Sequence, residues 1–202
     1  MKKTVLFAAV AALILSSCGS NEETTQEVVK AYYTVDTEAS VINWHGYKTY
    51  TPDYGHKGTL MLNSGTINTE DGVITNAEFV IDMNSINEPT DTSEAKKLRG
   101  HLMSDHFFNV ASHTNASLKI TGFENGNAKG ELTVMGVSKA IEFPATVTIA
   151  DDKLTATAEF EYDLGQFGSP YLQVPSEDAD AETKQGAISP NVKFSVNIVA
   201  NK

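Results

Sequence analysis

The sequence predicts an all-β domain, an antiparallel barrel or a two-sheet sandwich, with one short helix. Apolar and polar residues alternate with a period of two in at least eight runs between residues 41 and 198, as in strands that bury one face. Turn signals such as Asp71-Gly72 and Asn125-Gly126 separate the runs, so successive strands pair antiparallel. Because each strand has one apolar face, the sheet must close on itself or cover a second sheet.

The first 18 residues are typical of a bacterial lipoprotein signal. Lys2 and Lys3 precede an apolar stretch over residues 5–15, which is too short to span a bilayer as a stable helix. The stretch ends in Leu15-Ser16-Ser17-Cys18, which resembles a lipobox, where a protease cuts just before the cysteine. We therefore expect residues 1–17 to be a signal peptide and Cys18, the only cysteine, to carry the lipid. An ordinary secretory signal is the alternative.

Residues 18–30 are polar and acidic, and we expect them to form a lipidated, flexible tether. The tether would hold the protein at the cell envelope, at the outer membrane, on its periplasmic face or at the cell surface. Glu22-Glu23 resembles a surface-export signal of some Gram-negative lineages, or belongs to a solvated linker. The formal net charge of −11 argues against a nucleic acid partner.

The remaining residues, 31–202, are expected to form one domain, because no linker or internal repeat divides them. The clearest strand covers residues 73–83, where one face carries Val73, Thr75, Ala77, Phe79, Ile81 and Met83. Asn63-Ser64-Gly65 predicts a turn before it. The acidic segment 173–185 is expected to be a mobile loop.

One stretch of helix formers interrupts the strands. Ser93–Met103 predicts a helix, with Thr92 as its N-cap. Leu98 and Leu102 lie four residues apart and share a helix face, and Phe107-Phe108 follows directly. We expect this segment to cover one end of the sheet with apolar side chains.

Several motifs resemble those of the YceI-like family. The segment 99–110 (RGHLMSDHFFNV) is similar to its central signature, and 130–141 (GELTVMGVSKAI) to its second. The segments 44–48 (WHGYK) and 56–58 (HKG) resemble the early strand of its lipoprotein branch. The resemblance implies an eight-stranded, lipocalin-like antiparallel β-barrel over residues 31–202, with the short helix covering an end, that binds a polyisoprenoid or another long-chain lipid.

The candidate ligand-binding residues are the inward-facing apolar positions of this barrel. Large and small residues mix on the inward faces, which suits an elongated cavity and equally a filled core. A bound chain would be held by removal of apolar surface from water. The candidates are Ile42, Trp44, Leu60, Leu62, Phe79, Ile81, Met83, Leu98, Leu102, Phe107, Leu118, Ile120, Leu132, Val134, Ile141, Phe143, Phe160 and Phe194.

We expect a protein that carries or stores an isoprenoid or fatty-acyl lipid, and a quinone or its precursor is the candidate ligand. The alternative is an anchored structural or interaction barrel with a filled core and a protein partner; a homodimer is left open. No enzymatic function is expected, because no Gly-x-Ser-x-Gly, HExxH or P-loop motif occurs. No metal and no required cofactor are expected, since His101 and His106, five residues apart, point apart on a helix.

Overall fold

The computed structural model describes residues 27–202, which form a nine-stranded antiparallel sheet. The predicted signal peptide 1–17, Cys18 and most of the predicted tether 18–30 lie outside the described residues. The strands are β1 (Lys30–Val35), β2 (Val41–Lys48), β3 (Thr51–Glu70), β4 (Val73–Asn87), β5 (Asn115–Glu124), β6 (Asn127–Val134), β7 (Val137–Ala150), β8 (Lys153–Asp163) and β9 (Asn191–Asn201). The helices are α1 (Ser93–Met103), a 3-10 turn (Gly165–Phe167) and α2 (Ala181–Gly186).

The sheet closes into a barrel with eight strand positions, because β1 and β2 share one position. Both segments lie between β3 and β9: β1 pairs with the end of β9, and β2 with its middle. Residues 36–40 connect the two segments. Within them, the Ser40 hydroxyl donates to the Val199 carbonyl (3.3 Å) and accepts from the Val199 amide (3.0 Å). The eight-stranded barrel prediction is confirmed, and β1 is an extra strand that the sequence pattern did not reveal.

Two β-bulges correct the predicted strand boundaries and faces. Asn63-Ser64-Gly65 does not form a turn; it lies within the 20-residue β3, whose register shifts between Leu62 and Ser64. In β4 the register shifts at Thr75, so Ile74 is buried and Val73 is exposed, the reverse of the prediction. A bulge inserts one unpaired residue and therefore exchanges the two faces of the strand beyond it.

Gly65 follows the bulge in β3 at a point where another element comes close. A Cβ atom at this position would lie 2.7 Å from Cγ2 of Val35 and 2.9 Å from Cδ1 of Phe79. Glycine therefore lets β1 and β3 lie against the inward side chain of β4.

The two ends of the barrel differ, and we call them the turn end and the helix end. The turn end carries tight turns at Asp71-Gly72 and Asn125-Gly126, where both residues of each pair have positive φ (50° and 79°, 53° and 77°). This geometry is that of a type I′ hairpin turn, as the residue pairs predict. The helix end carries α1 and the long connection 164–190 between β8 and β9.

Helix α1 has the predicted bounds and the predicted cap. The Thr92 hydroxyl accepts a hydrogen bond from the Ala95 amide (3.1 Å). Arg99 fastens the helix to the end of β4, because its guanidinium donates to the carbonyls of Asn84 (2.7 Å) and Ile86 (3.1 Å). The helix therefore sits over one end of the barrel, fixed to the strand that precedes it.

Part of the predicted loop 173–185 is helical. Helix α2 begins within that segment, and the Asp180 carboxylate caps it by accepting from the Thr183 amide (2.7 Å). Further along, Ile188 forms a β-bridge with Lys48. This bridge and the hydrogen bond from the Thr49 amide to the Ala187 carbonyl (3.0 Å) hold the connection against the β2–β3 hairpin.

Candidate functional site: an apolar cavity

The interior of the barrel holds a cavity of about 220 Å³. This volume is more than ten times the roughly 10–15 Å³ that a single water requires. Among residues 27–202, no charged residue lines it, and its only polar residues are Thr157 and Ser189. An apolar cavity of this kind offers water few hydrogen-bond partners, so an apolar occupant gains from entering it.

The structure places seventeen of the eighteen candidate residues in the cavity wall. They come from every strand position and from the segment around α1: Ile42, Trp44, Leu60, Leu62, Phe79, Ile81, Met83, Leu102, Phe107, Leu118, Ile120, Leu132, Val134, Ile141, Phe143, Phe160 and Phe194. Leu98 is the exception. It is half-buried against the core, and Leu102, one helical turn closer to Phe107, reaches the cavity instead. Whether these residues contact a ligand stays a prediction.

Sequence reasoning missed the part of the wall that comes from the connection 164–190. Leu164, Leu172 and Ile188 line the cavity beside Ser189. The connection has neither a period-two nor a helical pattern of apolar residues, so no periodic signal marked these positions. The only local signal is a few apolar residues within a polar stretch.

Four aromatic side chains form a band around part of the wall. Phe194 on β9 is paired with Phe160 on β8 and with Trp44 on β2. The ring centroids of Phe160 and Phe194 lie 5.3 Å apart, and Phe143 on β7 stacks on Phe160 at 4.4 Å. Stacked aromatic rings present flat, apolar faces and hold one another in place. The aromatic band (Phe143, Phe160, Phe194, Trp44) is therefore a firm surface for an extended chain.

Gly58 on β3 positions the indole of Trp44. Gly58 is paired with Trp44, and a Cβ atom at Gly58 would collide with the indole ring and with the Asn87 carbonyl. The indole therefore lies directly against the backbone of β3. Trp44 is 8% exposed, so its ring serves as a wall and not as a surface group.

Small side chains lie between the aromatic band and the turn end. Ala145 is paired with Ala158, and Val147 with Ala156, and all four line the cavity. Alanine side chains on neighbouring strands leave space that larger residues would fill. This stretch of the barrel, which we call the alanine chamber, accounts for the cavity being open rather than filled.

Two segments cover the helix end. Phe107 and the adjacent Phe108 enter from the segment after α1, and Leu172 enters from the connection 164–190. The segments touch each other: the buried Ser169 hydroxyl donates to the His106 carbonyl (3.1 Å), and Tyr171 stacks on Phe107 at 5.4 Å. The cover is thus made of two parts that meet along one seam.

The groups with shifted pKa values do not line the cavity. Burial, together with the charges of Lys57 and Lys193, lowers the pKa of His45. Burial and a hydrogen bond to Glu161 raise the pKa of the Tyr47 hydroxyl. These side chains sit on the outer barrel surface, because neither belongs to the lining while Trp44 and Gly46, on the alternate face of β2, do.

Two further observations concern residues 27–202. No group of three or more His, Cys, Asp and Glu side chains in this range could hold a metal ion. None of the helices in the same range has the length and apolarity needed to cross a bilayer.

Comparisons with known proteins agree with the geometry. The model of the YceI-like domain family matches residues 33–200. BcnA of Burkholderia cenocepacia is similar in structure at 16% identity, with 82% of this chain and 98% of that chain covered and a TM-score of 0.62. No curated protein sequence matches the chain.

Two other solved structures share the fold. A polyisoprenoid binding domain from Saccharophagus degradans, implicated in plant cell wall breakdown, matches at 17% identity, with 84% and 97% coverage and a TM-score of 0.57. The YceI protein of Campylobacter jejuni matches at 15% identity, with 100% and 99% coverage and a TM-score of 0.51. At identities of 15–17%, these structural similarities show a common fold.

Proposed function

This chain belongs to the YceI-like domain family, and from that premise we propose that it binds one long apolar chain, an isoprenoid or fatty-acyl lipid, inside its barrel. The observation that carries the proposal is the apolar cavity, whose wall, as far as the described residues 27–202 form it, has no charged side chain. The description of the Saccharophagus degradans relative as a polyisoprenoid binding domain supports the same class of ligand.

The shape of the cavity favours a chain over a compact molecule. Along β4 the lining extends from Ile74 to Ile86. At about 3.3 Å per residue this is roughly 40 Å of strand, or about 30 Å along the axis of a barrel with ordinary strand tilt. A lining of this length around a cavity of about 220 Å³ makes the cavity long and narrow, which suits an extended chain.

Retention requires a long chain, because association itself is costly. Each buried methylene contributes about 0.8 kcal/mol, so about ten of them contribute about 8 kcal/mol. The loss of translational and rotational freedom costs about 4–15 kcal/mol. Short-chain molecules therefore dissociate readily, and long ones remain bound through purification.

The alternative of a structural barrel with a filled core does not fit the cavity. It requires that inward side chains meet across the interior, and the alanine chamber keeps them apart. We assign binding rather than catalysis, because the lining that residues 27–202 provide offers no titratable side chain to act as acid, base or nucleophile.

The proposed setting is the cell envelope. In this proposal Cys18 carries the lipid anchor, at the outer membrane, and the barrel stores or carries a quinone-related isoprenoid nearby. β1 starts at Lys30, paired with Glu70 beside the turn at Asp71, so the tether joins the barrel at its turn end.

Mass spectrometry of organic extracts from the purified chain tests the proposal. We expect a long-chain lipid in a near-equimolar amount. The variant Ala158→Phe, which fills the alanine chamber, should lose this lipid, whereas Glu159→Phe, its exposed neighbour in β8, should retain it. Absence of lipid from the natural chain, or equal recovery from folded Ala158→Phe, would contradict the proposal.

A further inference from the structure

On β8, β9 and β1 the cavity ends before the strands do, whereas on β4 and β6 its lining reaches Ile74 and Ala128, each the second residue of its strand. At the turn end a row of fully or nearly fully buried side chains fills the interior without lining the cavity. Leu154 and Ala200 have no exposed surface, and Val35 is 6% exposed. Leu154 is paired with Ala200 and Ala200 with Val35, so the row crosses β8, β9 and β1.

On β8 and on β9, the barrel interior changes from filled to open between two successive inward-facing residues. Two residues from Leu154 on β8, Ala156 lines the cavity, and two residues from Ala200 on β9, Ile198 does. Ala156 and Ile198 are themselves a cross-strand pair. The boundary therefore runs straight across neighbouring strands. A second buried pair, Tyr33 and Ile67 on β1 and β3, widens the filled region.

We infer that the row Leu154, Ala200 and Val35 is a floor that sets the length of the bound chain. The inference rests on the proposed function and names its specificity-determining residues. Leu154 is the largest side chain of the floor row and borders the alanine chamber at Ala156. A chain that enters fully stops at Ala156 and Ile198, which the row of Leu154, Ala200 and Val35 backs from the turn end.

The floor also orients the chain. It presents only apolar side chains, so a headgroup placed there would lose its hydrogen bonds to water without replacement. Ser189, in the connection 164–190, is the polar residue of the lining at the helix end. The apolar tail therefore lies on the floor, and the polar end lies at the helix end.

A floor makes retention depend on length in both directions. A chain that is too short leaves space above the floor and loses dispersion contacts with the wall. A chain that is too long keeps part of its apolar surface in water at the helix end. The preferred length is the one that fills the distance from Leu154 to the cover.

Two opposite substitutions test the floor. The probes are a homologous series of straight-chain alcohols, offered as a mixture to the full chain and read by native mass spectrometry. Leu154→Ala removes three carbons from the floor and should move the preferred alcohol up by about three carbons. Ala156→Leu raises the floor and should move it down by a similar amount.

Matched controls distinguish a specific effect on the preferred chain length from a general loss of stability. Val110→Ala truncates a side chain that is 1% exposed and does not line the cavity, on the segment after α1, and should leave the preferred length unchanged. Thr155→Leu adds the bulk of leucine beside Ala156 on the other face of β8 and should also leave it unchanged. If Leu154→Ala does not fold, Ala156→Leu alone decides, because it adds carbons to open space.

The outcomes distinguish the floor from the function. If the unsubstituted protein prefers one alcohol length and neither Leu154→Ala nor Ala156→Leu shifts that length, the proposed role of the floor is refuted and lipid binding stands. An equal shift in Val110→Ala overturns the floor as well. If the natural chain binds no member of the series, the proposed function itself fails.

Discussion

Replacing Phe143 with aspartate tests whether the cavity wall is dry and apolar. Phe143 is 8% exposed, lines the cavity and stacks on Phe160 with ring centroids 4.4 Å apart. In the part of the chain that the structure describes, no lysine, arginine or histidine side chain lines the cavity to pair with a carboxylate there. The variant Phe143→Asp therefore places a desolvated, unpaired carboxyl group in the barrel.

The expected destabilisation follows from the pKa of the introduced carboxyl. Full burial raises such a pKa by about 3–5 units, and each unit corresponds to about 1.36 kcal/mol. At pH 7 the penalty is about 4 kcal/mol, because only about 3 units separate the unfolded pKa of about 3.9 from the ambient pH, and the lost aromatic stacking adds about 0.5–1.5 kcal/mol. A domain of this kind is stable by about 5–15 kcal/mol in total, so the variant loses much or all of its stability and its ligand.

The pH dependence has a definite sign. A carboxyl whose pKa is raised in the folded state binds its proton more tightly when folded than when unfolded. Below the unfolded pKa of about 3.9 both states are protonated, and the penalty is absent. The penalty grows as the pH rises from there to the raised pKa of the folded state, and is constant above it.

The measurement is urea unfolding from pH 4 to 8, followed by the fluorescence of Trp44, the only tryptophan. Phe143→Asn is the matched control, because asparagine has nearly the same shape as aspartate and no ionisable group. We expect the aspartate variant to lose stability relative to the asparagine variant as the pH rises. Equal stability of the two variants at every pH would show that residue 143 faces water and would refute the assignment of the wall.

Four further predictions concern positions away from Phe143. Gly58→Ala should displace the indole and shift the emission of Trp44, because the added Cβ occupies its place; an unchanged spectrum with unchanged stability would count against the contact. Arg99→Met removes two hydrogen bonds between α1 and β4 and should speed lipid release several-fold in a stopped-flow exchange assay, whereas an unaltered rate would mean that α1 is no part of the cover. Thr92→Ala should lower the free energy of unfolding by about 1 kcal/mol in urea titrations through loss of the N-cap, and Thr92→Ser should restore it. Cys18→Ser should move the protein from the membrane pellet to the supernatant when lysed cells are fractionated by ultracentrifugation. Its retention in the membrane pellet would exclude the proposed anchor.

The sequence predicts the parts of this fold that depend on local patterns. Helix α1 begins and ends where the cap and the helix formers place it, because Thr92 and the residues after it suffice to start a helix. The inward faces in the middle of the strands follow from alternation, which is why Phe79, Phe143 and Phe194 all reach the cavity. These features need no knowledge of distant partners.

The bulges in β3 and β4 could not be predicted in this way. The extra residue near Asn63 is set by how β3 pairs with β4, and the shift at Thr75 by the same pairing. A bulge depends on the register of two strands, while the alternation within one strand looks the same on either side of it. Val73 was therefore assigned to the wrong face.

The openness of the barrel also lay beyond the reach of the sequence pattern. Ala145, Ala156 and Ala158 satisfy the alternation of a strand whether larger neighbours fill the space or not. Only the placement of these alanines next to one another, across β7 and β8, makes a chamber. The second part of the cover, with Leu172 inside an irregular connection, depends likewise on tertiary contacts.

The central claim is that the barrel shelters a single apolar chain, and a crystal structure of the purified chain tests it most directly. We predict continuous tubular density along the aromatic band, from the alanine chamber to the seam between Phe107 and Tyr171. Side chains that meet across the interior, or ordered waters throughout the cavity, would contradict the claim.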